Sequence, residues 1–255
     1  MVKKQIKTES TKLVIAISSR ALFNLDHSHQ IFKDEGINAY AKHQQENEQV
    51  ILEPGVGFTL VKKLLKLNSK KTPIDVILLS RNSADTGLRI FNSIEHYGLN
   101  ISRAAFTRGE STHPFVGAFE ADLFLSSNYN DVQKALKSGY AAASIIESKS
   151  NHSHPSQLRI AFDGDAVIFS DESEKIFQEK GLEAFHENEV LSEKIKLKAG
   201  PFKSFLVSLQ KIQSTFPEEN NPIRTALVTA RSAPAHKRVI HTMREWGIRI
   251  DESFF

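Results

Sequence analysis

Arg159-Ile-Ala-Phe-Asp-Gly-Asp-Ala-Val-Ile-Phe-Ser170 sets an apolar run directly before two carboxylates. Ile160 to Phe162 has the length and composition of a buried strand, and Gly164 allows a tight exit at its carboxyl end. In open α/β sheets that end is where ligands bind. Asp163 and Asp165, spaced i and i+2 on one turn, would repel each other if left alone. They therefore imply a cation, a shared proton, or both. One carboxylate can attack an electrophile while the other moves protons and holds a metal. The same residues also read as the Asp-Gly turn of a hairpin, and this stretch alone leaves both readings open.

Sixty-six residues downstream (229 minus 163) stands a second strand with a polar tip, Ala226-Leu-Val-Thr-Ala-Arg-Ser232. A helical pattern from Pro234 to Trp246 follows and is closed by Gly247, with proline near the start and glycine just past the end. A hydroxyl at a strand end, beside amides that open a helix, is a natural phosphate cradle.

These two stretches together resemble the haloacid dehalogenase-like phosphatases. Asp163, Asp165 and Val167 match that superfamily's first motif, DxDx(T/V), and Thr229 matches its second. The wording is closer still to the cytosolic type-one 5′-nucleotidases. The phrases that carry this likeness are FDGDAVIFSDESE (Phe162 to Glu174), LVTARSAPAHKRVI (Leu227 to Ile240) and the opening LVIAISSRALF (Leu13 to Phe23).

The resemblance implies an α/β fold and a Mg²⁺-dependent 5′-nucleotidase acting on AMP or a similar monophosphate. It implies Asp163 and Asp165 as catalytic and metal-binding residues, and Thr229 with the amides of Ala230 and Arg231 as the phosphate-binding set. Asp163 would attack phosphorus and form an aspartyl-phosphate. Asp165 would protonate the leaving ribose oxygen and then activate water, with its backbone carbonyl on the metal. A different phosphatase or phosphotransferase of the same superfamily would keep the Asp163 chemistry and change only the substrate.

Composition sets wide bounds. The chain has 255 residues, 40% of them hydrophobic and 25% charged, as in ordinary globular proteins. A formal charge of +3 and a pI near 8.9 suit an anionic small molecule. No stripe of Arg and Lys interleaved with aromatics suggests nucleic acid as the main ligand. The absence of cysteine excludes disulfides, thiolate metal sites and cysteine nucleophiles. No apolar run approaches the length of a membrane span, and the opening MVKKQIKTESTK lacks the apolar core of a signal peptide. The location read from this is cytoplasmic, with no membrane partner. His27, His29, His152 and His154 lack a third ligand at metal spacing and are assigned none. Phe169, Phe177, Phe185 and Tyr129 could stack on a base, although such spacing is ordinarily that of core residues.

The chain also repeats itself. Leu13 to Ala21 lines up without gaps on Leu158 to Ala166 at an offset of 145 (163 minus 18), which also pairs Gly36 with Gly181. An offset of 149 (229 minus 80) pairs Ser80 with Thr229, Arg89 with Arg238 and Gly98 with Gly247. This predicts two tandem haloacid dehalogenase-like (Rossmann-like) halves related by internal duplication. The expected layout is a flexible N-terminus over 1–12, a degenerate half over 13–147, a linker over 148–157 and a catalytic-type half over 158–255. In the first half Ser18 and Arg20 replace the two aspartates, so that half has the outline without the acid pair. Arg20 reads as a surface or structural arginine, although its planar fork would also suit a phosphate. In the first half, strands are expected near 13–18, 75–80, 102–106 and 122–126, with helices near 28–43, 57–67, 84–97 and 130–138. In the second half, strands are expected near 158–163, 224–229 and 248–251, with helices over 173–187, 201–213 and 234–246.

The superfamily's third motif, a lysine, and its fourth, an acidic pair, would follow the phrase Asp251-Glu252 to Phe254-Phe255. The second half is therefore expected to be incomplete, with apolar surface and a free sheet edge favouring a homo-oligomer. In the first half Ser126-Ser127 stands where the acidic pair would be. Lys237, on the helix after Thr229, reads as part of a solvated face rather than a substitute lysine. The alternative to an enzyme is a catalytically inactive relative that binds nucleotide or a protein.

Overall fold

The computed structural model describes residues 12–146 and 157–255. The expected flexible N-terminus and linker lie outside the described residues except for Lys12 and Gln157. The chain divides into two compact units, Met1–Ser153 and His154–Phe255.

The first unit runs β1 (Leu13–Ser18), α1 (Ser19–Leu22), α2 (Asp26–Glu46), α3 (Phe58–Lys66), β2 (Ile74–Ser80), α4 (Leu88–His96), β3 (Arg103–Phe106), α5 (His113–Ala118), β4 (Leu123–Ser126), α6 (Tyr129–Lys137) and β5 (Ala142–Ser144). All pairings are parallel and the strand order is β3-β2-β1-β4-β5. Parallel strands covered by helices on both faces need continuous apolar runs. Leu13 to Ile17 and Val76 to Leu79 supply them, all at most 5% exposed. On one face Val14, Ala16, Ile77 and Leu79 pack against Val116 of α5 and Val132 and Ala135 of α6. Neither α5 nor β5 was expected from the sequence: six and three residues are too short for periodicity to register.

The second unit runs β6 (Leu158–Asp163), α7 (Glu172–Leu191), α8 (Lys203–Gln213), β7 (Ile223–Val228), α9 (His236–Glu245) and β8 (Glu252–Phe254), with β6-β7-β8 again parallel. The last strand lies later than the expected 248–251. Gly247, at φ 64, ends the helical segment, and Ile248 to Asp251 form the connection. Ile248 is buried there, and the Asp251 carboxylate accepts from the Thr225 amide at 2.8 Å and from Gln213 Nε2 at 2.7 Å.

The two units match in register and in hydrogen bonding. Leu13 pairs with Ile74 as Leu158 pairs with Ile223, and Ile77 pairs with Arg103 as Ala226 pairs with Glu252. Arg89 Nε donates to the Val50 carbonyl and Arg238 Nε to the Ile195 carbonyl, both at 2.8 Å. The Leu52 amide donates to Ser93 Oγ and the Leu197 amide to Thr242 Oγ1, both at 3.0 Å. Gly36 and Gly181 break α2 and α7 with nearly the same angles, φ 86 and φ 81.

Two differences matter. The run Ile160 to Phe162 is not buried on both faces: Phe162 is buried, but Arg159, Ala161 and Asp163 are exposed. Val228 on β7 is likewise 46% exposed. These positions repeat those that α5 and α6 cover in the first unit (14 plus 145 is 159; 79 plus 149 is 228), and among the described residues no helix covers them. The second difference is an added residue. The four-residue α1 becomes the five-residue turn Gly164–Ile168, in which Ala166 takes φ 59. Leu22 and Ile168 hold equivalent carbonyls, accepting from the Gly55 and Gly200 amides, so the offset there is 146 rather than 145.

Candidate active site

Asp163 ends β6, and the chain turns at once through Gly164 into the π-type turn. Such turns concentrate at functional positions because the extra residue redirects side chains. Asp163 stands beside Val228 in the β6–β7 register, which puts Thr229, the next residue, at the same end of the sheet. A Cβ added to Gly164 would lie 3.1 Å from both Cβ and Oγ1 of Thr229. Glycine is what lets the acid turn close against that hydroxyl. The structure therefore brings Asp163, Asp165 and Thr229 together at the carboxyl ends of two adjacent parallel strands, where ligands of open α/β sheets bind.

Arg231 holds this site in a way the sequence reading did not anticipate. Only its amide was expected to serve, and that amide donates to Thr229 Oγ1 at 3.3 Å. Its side chain is 1% exposed and grips Asp165 with two nitrogens, Nε to Oδ2 at 2.9 Å and Nη2 to Oδ1 at 2.6 Å. Its third nitrogen, Nη1, donates to Glu189 Oε2. Glu189 is itself fully buried and accepts through Oε1 from Arg238 Nη1 at 2.9 Å and from Ser173 Oγ at 2.8 Å. Burial works against the charge of Arg231, but the carboxylates of Asp165 and Glu189 outweigh it and leave its pKa raised. The result is an alternating chain, Asp165–Arg231–Glu189–Arg238, with no net charge.

A sequence signal for this network did exist. At the repeated positions the first unit has Arg20, Asn82 and Gln44 where the second has Asp165, Arg231 and Glu189 (231 minus 149 is 82; 189 minus 145 is 44). Three coupled changes of charge at matching places distinguish the second copy from the first.

Of the aromatic candidates, Phe169 is fully buried against Trp246, with ring centroids 5.6 Å apart, and belongs to the core. Phe185 lies under the Arg231 guanidinium at 5.5 Å and packs edge-on with Phe177, which is 44% exposed. These two rings of α7 therefore stand beside the acid turn.

The family model described as 5′-nucleotidase matches residues 5–255. The chain belongs to the 5′-nucleotidase family. Human cytosolic 5′-nucleotidase 1B is 40% identical to it over 257 residues, covering 95% of this chain and 42% of the human protein. The chain thus spans less than half the length of that relative. No solved structure matches it significantly. Membership accounts for the resemblance of the three signature phrases, which lie within the matched residues.

Among the described residues no three His, Asp or Glu side chains gather as a metal cage, and no helix is long and apolar enough to cross a membrane. The metal donors within reach of the turn are the exposed Asp163 carboxylate and backbone oxygens. Such a set fits a hard, octahedral ion that keeps waters and takes substrate phosphate oxygens, as Mg²⁺ does.

Proposed function

We propose that the second unit carries the phosphoryl-transfer chemistry of a Mg²⁺-dependent 5′-nucleotidase acting on a nucleoside 5′-monophosphate, with AMP the first substrate to test. The observation that carries this reading is the closure of Gly164 on Thr229, which sets the acid turn and the phosphate-cradle hydroxyl at one strand end. Asp163 Oδ attacks phosphorus in line, the P–O5′ bond breaks, and Asp165 delivers a proton to the departing ribose oxygen. Water then attacks the aspartyl-phosphate, Asp165 takes its proton, and phosphate leaves with Asp163 restored. Mg²⁺, held by the Asp163 carboxylate and the Asp165 backbone carbonyl, would neutralise charge on the phosphate. Thr229 and the amides of Ala230 and Arg231 hold the phosphate oxygens, for which the Arg231 amide must exchange Thr229 Oγ1 for substrate. Phe169 lies nearer the turn but is fully buried, so Phe177 and Phe185, the latter against the Arg231 guanidinium, are the rings assigned to the base.

The acid role also requires Asp165 to leave Arg231 and take up a proton from solvent before the first transfer, after which the attacking water restores it, so substrate binding is coupled to a rearrangement of that ion pair. The tight Asp165–Arg231 clasp equally favours a second reading, a catalytically inactive member that binds nucleotide or protein. The two units are read as copies of one ancestral half. A cytoplasmic location follows the human relative's name, and self-association through the exposed face of β6 and β7 belongs to the same reading.

Phosphate release from AMP, with Mg²⁺ and with the metal chelated, tests this on the chain and on its Asp163→Asn variant. Release that needs both metal and Asp163, and falls by at least ~10²-fold without either, is the expected result. Release no greater than that of the variant overturns the enzymatic reading and leaves the binding one.

A further inference from the structure

The first unit has a cavity of its own. It measures about 640 Å³ and opens over the carboxyl ends of β1, β2 and β4. In the order β3-β2-β1-β4-β5 the connections reverse direction between β1 and β4, and a crevice for ligands forms at such a switch point. The strand ends there carry hydroxyls. Ser18 Oγ accepts from the Ser127 amide at 3.3 Å, and the hydroxyls of Ser19 and Ser80 are 3.0 Å apart.

Two arginines at the cavity are available to an anion. Arg108 has no ion-pair or hydrogen-bond partner for its side chain among the described residues. Its backbone is fixed at φ 49, with its amide on the Asn82 carbonyl at 3.0 Å and that of Gly109 on the Arg81 carbonyl at 2.7 Å. Strained positions of this kind persist where the surroundings impose them and cluster at ligand sites. Among the described residues Arg20 is engaged only with the exposed Asp26, a contact that a phosphate readily replaces. Arg81, by contrast, is committed to the buried Asp131 by two bonds.

The lining also contains Asn82, whose Nδ2 is buried without a hydrogen-bond partner while its Oδ1 accepts from the Tyr40 hydroxyl. Opposite in character stand Phe32, 45% exposed, and Ile37, 57% exposed, with Tyr40 edge-on to Phe32 at 6.1 Å. A cationic, hydroxyl-lined part beside an exposed aromatic wall, within a volume typical of small-ligand sites, is matched by a phosphate joined to a flat ring.

We infer that the first unit binds a nucleoside phosphate in this cavity without turning it over. The acid pair is absent there: Ser18 and Arg20 stand at the places of Asp163 and Asp165, and the carboxylates of the lining, Asp85 and the Arg81-paired Asp131, lie at neither of those places. The position that would repel a phosphate in the second unit instead carries a cation. Whether the second unit hydrolyses its substrate does not bear on this.

Calorimetric titration of the full chain carrying Asp163→Asn tests the inference, with AMP, adenosine and inorganic phosphate as separate probes. Adding Arg20→Ala and Arg108→Ala, both at exposed residues, should weaken one AMP-binding component by about tenfold or more, the loss expected from charge-assisted contacts. AMP should also bind more tightly than either adenosine or phosphate alone. AMP binding unchanged by the two substitutions overturns the inference. So does phosphate binding as tightly as AMP, because the ring would then contribute nothing. Phosphate release measured in parallel on Arg20→Ala/Arg108→Ala with Asp163 intact separates the two readings. Equal release, or equal absence of release, speaks only to the second unit.

Discussion

Replacing Glu189 by Gln probes the charge chain behind Asp165 most directly. Gln keeps the shape of Glu and is what the first unit carries at the matching position, Gln44. The change leaves Arg231 facing Asp165 alone and turns an amide donor toward one of two guanidinium groups, both on buried arginines. Removing one member of a buried ion pair costs ~3–5 kcal/mol. Because Gln can still accept from Arg238 and Ser173 through one oxygen, the low end, about 3 kcal/mol, applies. With a urea slope of about 1.5 kcal/mol/M for a unit of this size, the midpoint should fall by about 2 M. Trp246 is the sole tryptophan and lies in the second unit, packed on Phe169 and under Lys203 Nζ at 4.2 Å, so its fluorescence reports that unit selectively. The control is Glu187→Gln, an exposed position two residues away, expected within about 0.5 kcal/mol of the parent. A Glu189→Gln midpoint within about 0.5 M of the parent would refute the reasoning, since the buried charges would then contribute nothing net.

Gly164→Ala should lower phosphate release more than it lowers stability. The new Cβ meets Thr229 at 3.1 Å, so the Thr229 side chain must shift by a few tenths of an ångström, at a cost of about 1 kcal/mol read by urea unfolding. Equal release with a displaced midpoint would count against the closure of the acid turn on Thr229. Acid should destabilise the second unit through Asp251. Burial alone would raise its pKa, but hydrogen bonds from the Thr225 amide, Gln213, the Thr225 hydroxyl and Arg249 hold it below the ordinary value of 3.8. A depressed pKa contributes stability that is present above the unfolded value and lost as pH falls through the folded one. The loss should therefore begin below about pH 4 and be smaller in Asp251→Asn, as followed by Trp246 fluorescence. An identical acid profile in the variant would assign the acid sensitivity elsewhere.

Periodicity made most of the fold legible. Continuous apolar runs marked β1 and β2, amphipathic spacing marked α3, α4, α6, α8 and α9, and the two offsets placed their counterparts. Local signals failed where elements are short, as in α5 and β5, and at β8, where Gly247 ends the helical segment but a four-residue connection precedes the strand. They failed again at β6, because an Ile-Ala-Phe run looks the same whether one face is covered or two. At the site, the strand ends, the acid turn and Thr229 were legible since each sits beside its own strand. The side chain of Arg231 was not. A charged residue after a strand is ordinarily solvated, and its two carboxylate partners lie 66 and 42 positions away.

The sequence by itself determined the α/β order, the repeated outline and, through long phrases in a fixed order, the family. Those properties reside in neighbours along the chain, where backbone propensity and hydrophobic period act. Only the tertiary structure decided which charges meet. It buried Glu189 between two arginines, closed Gly164 on Thr229, left one face of β6 and β7 exposed, and gathered Arg20, Arg108 and Phe32 around a cavity in the half without the acid pair. Burial and pairing arise from contacts between distant segments, and desolvation, which fixes what a charge costs and what it can do, exists only once those segments have packed.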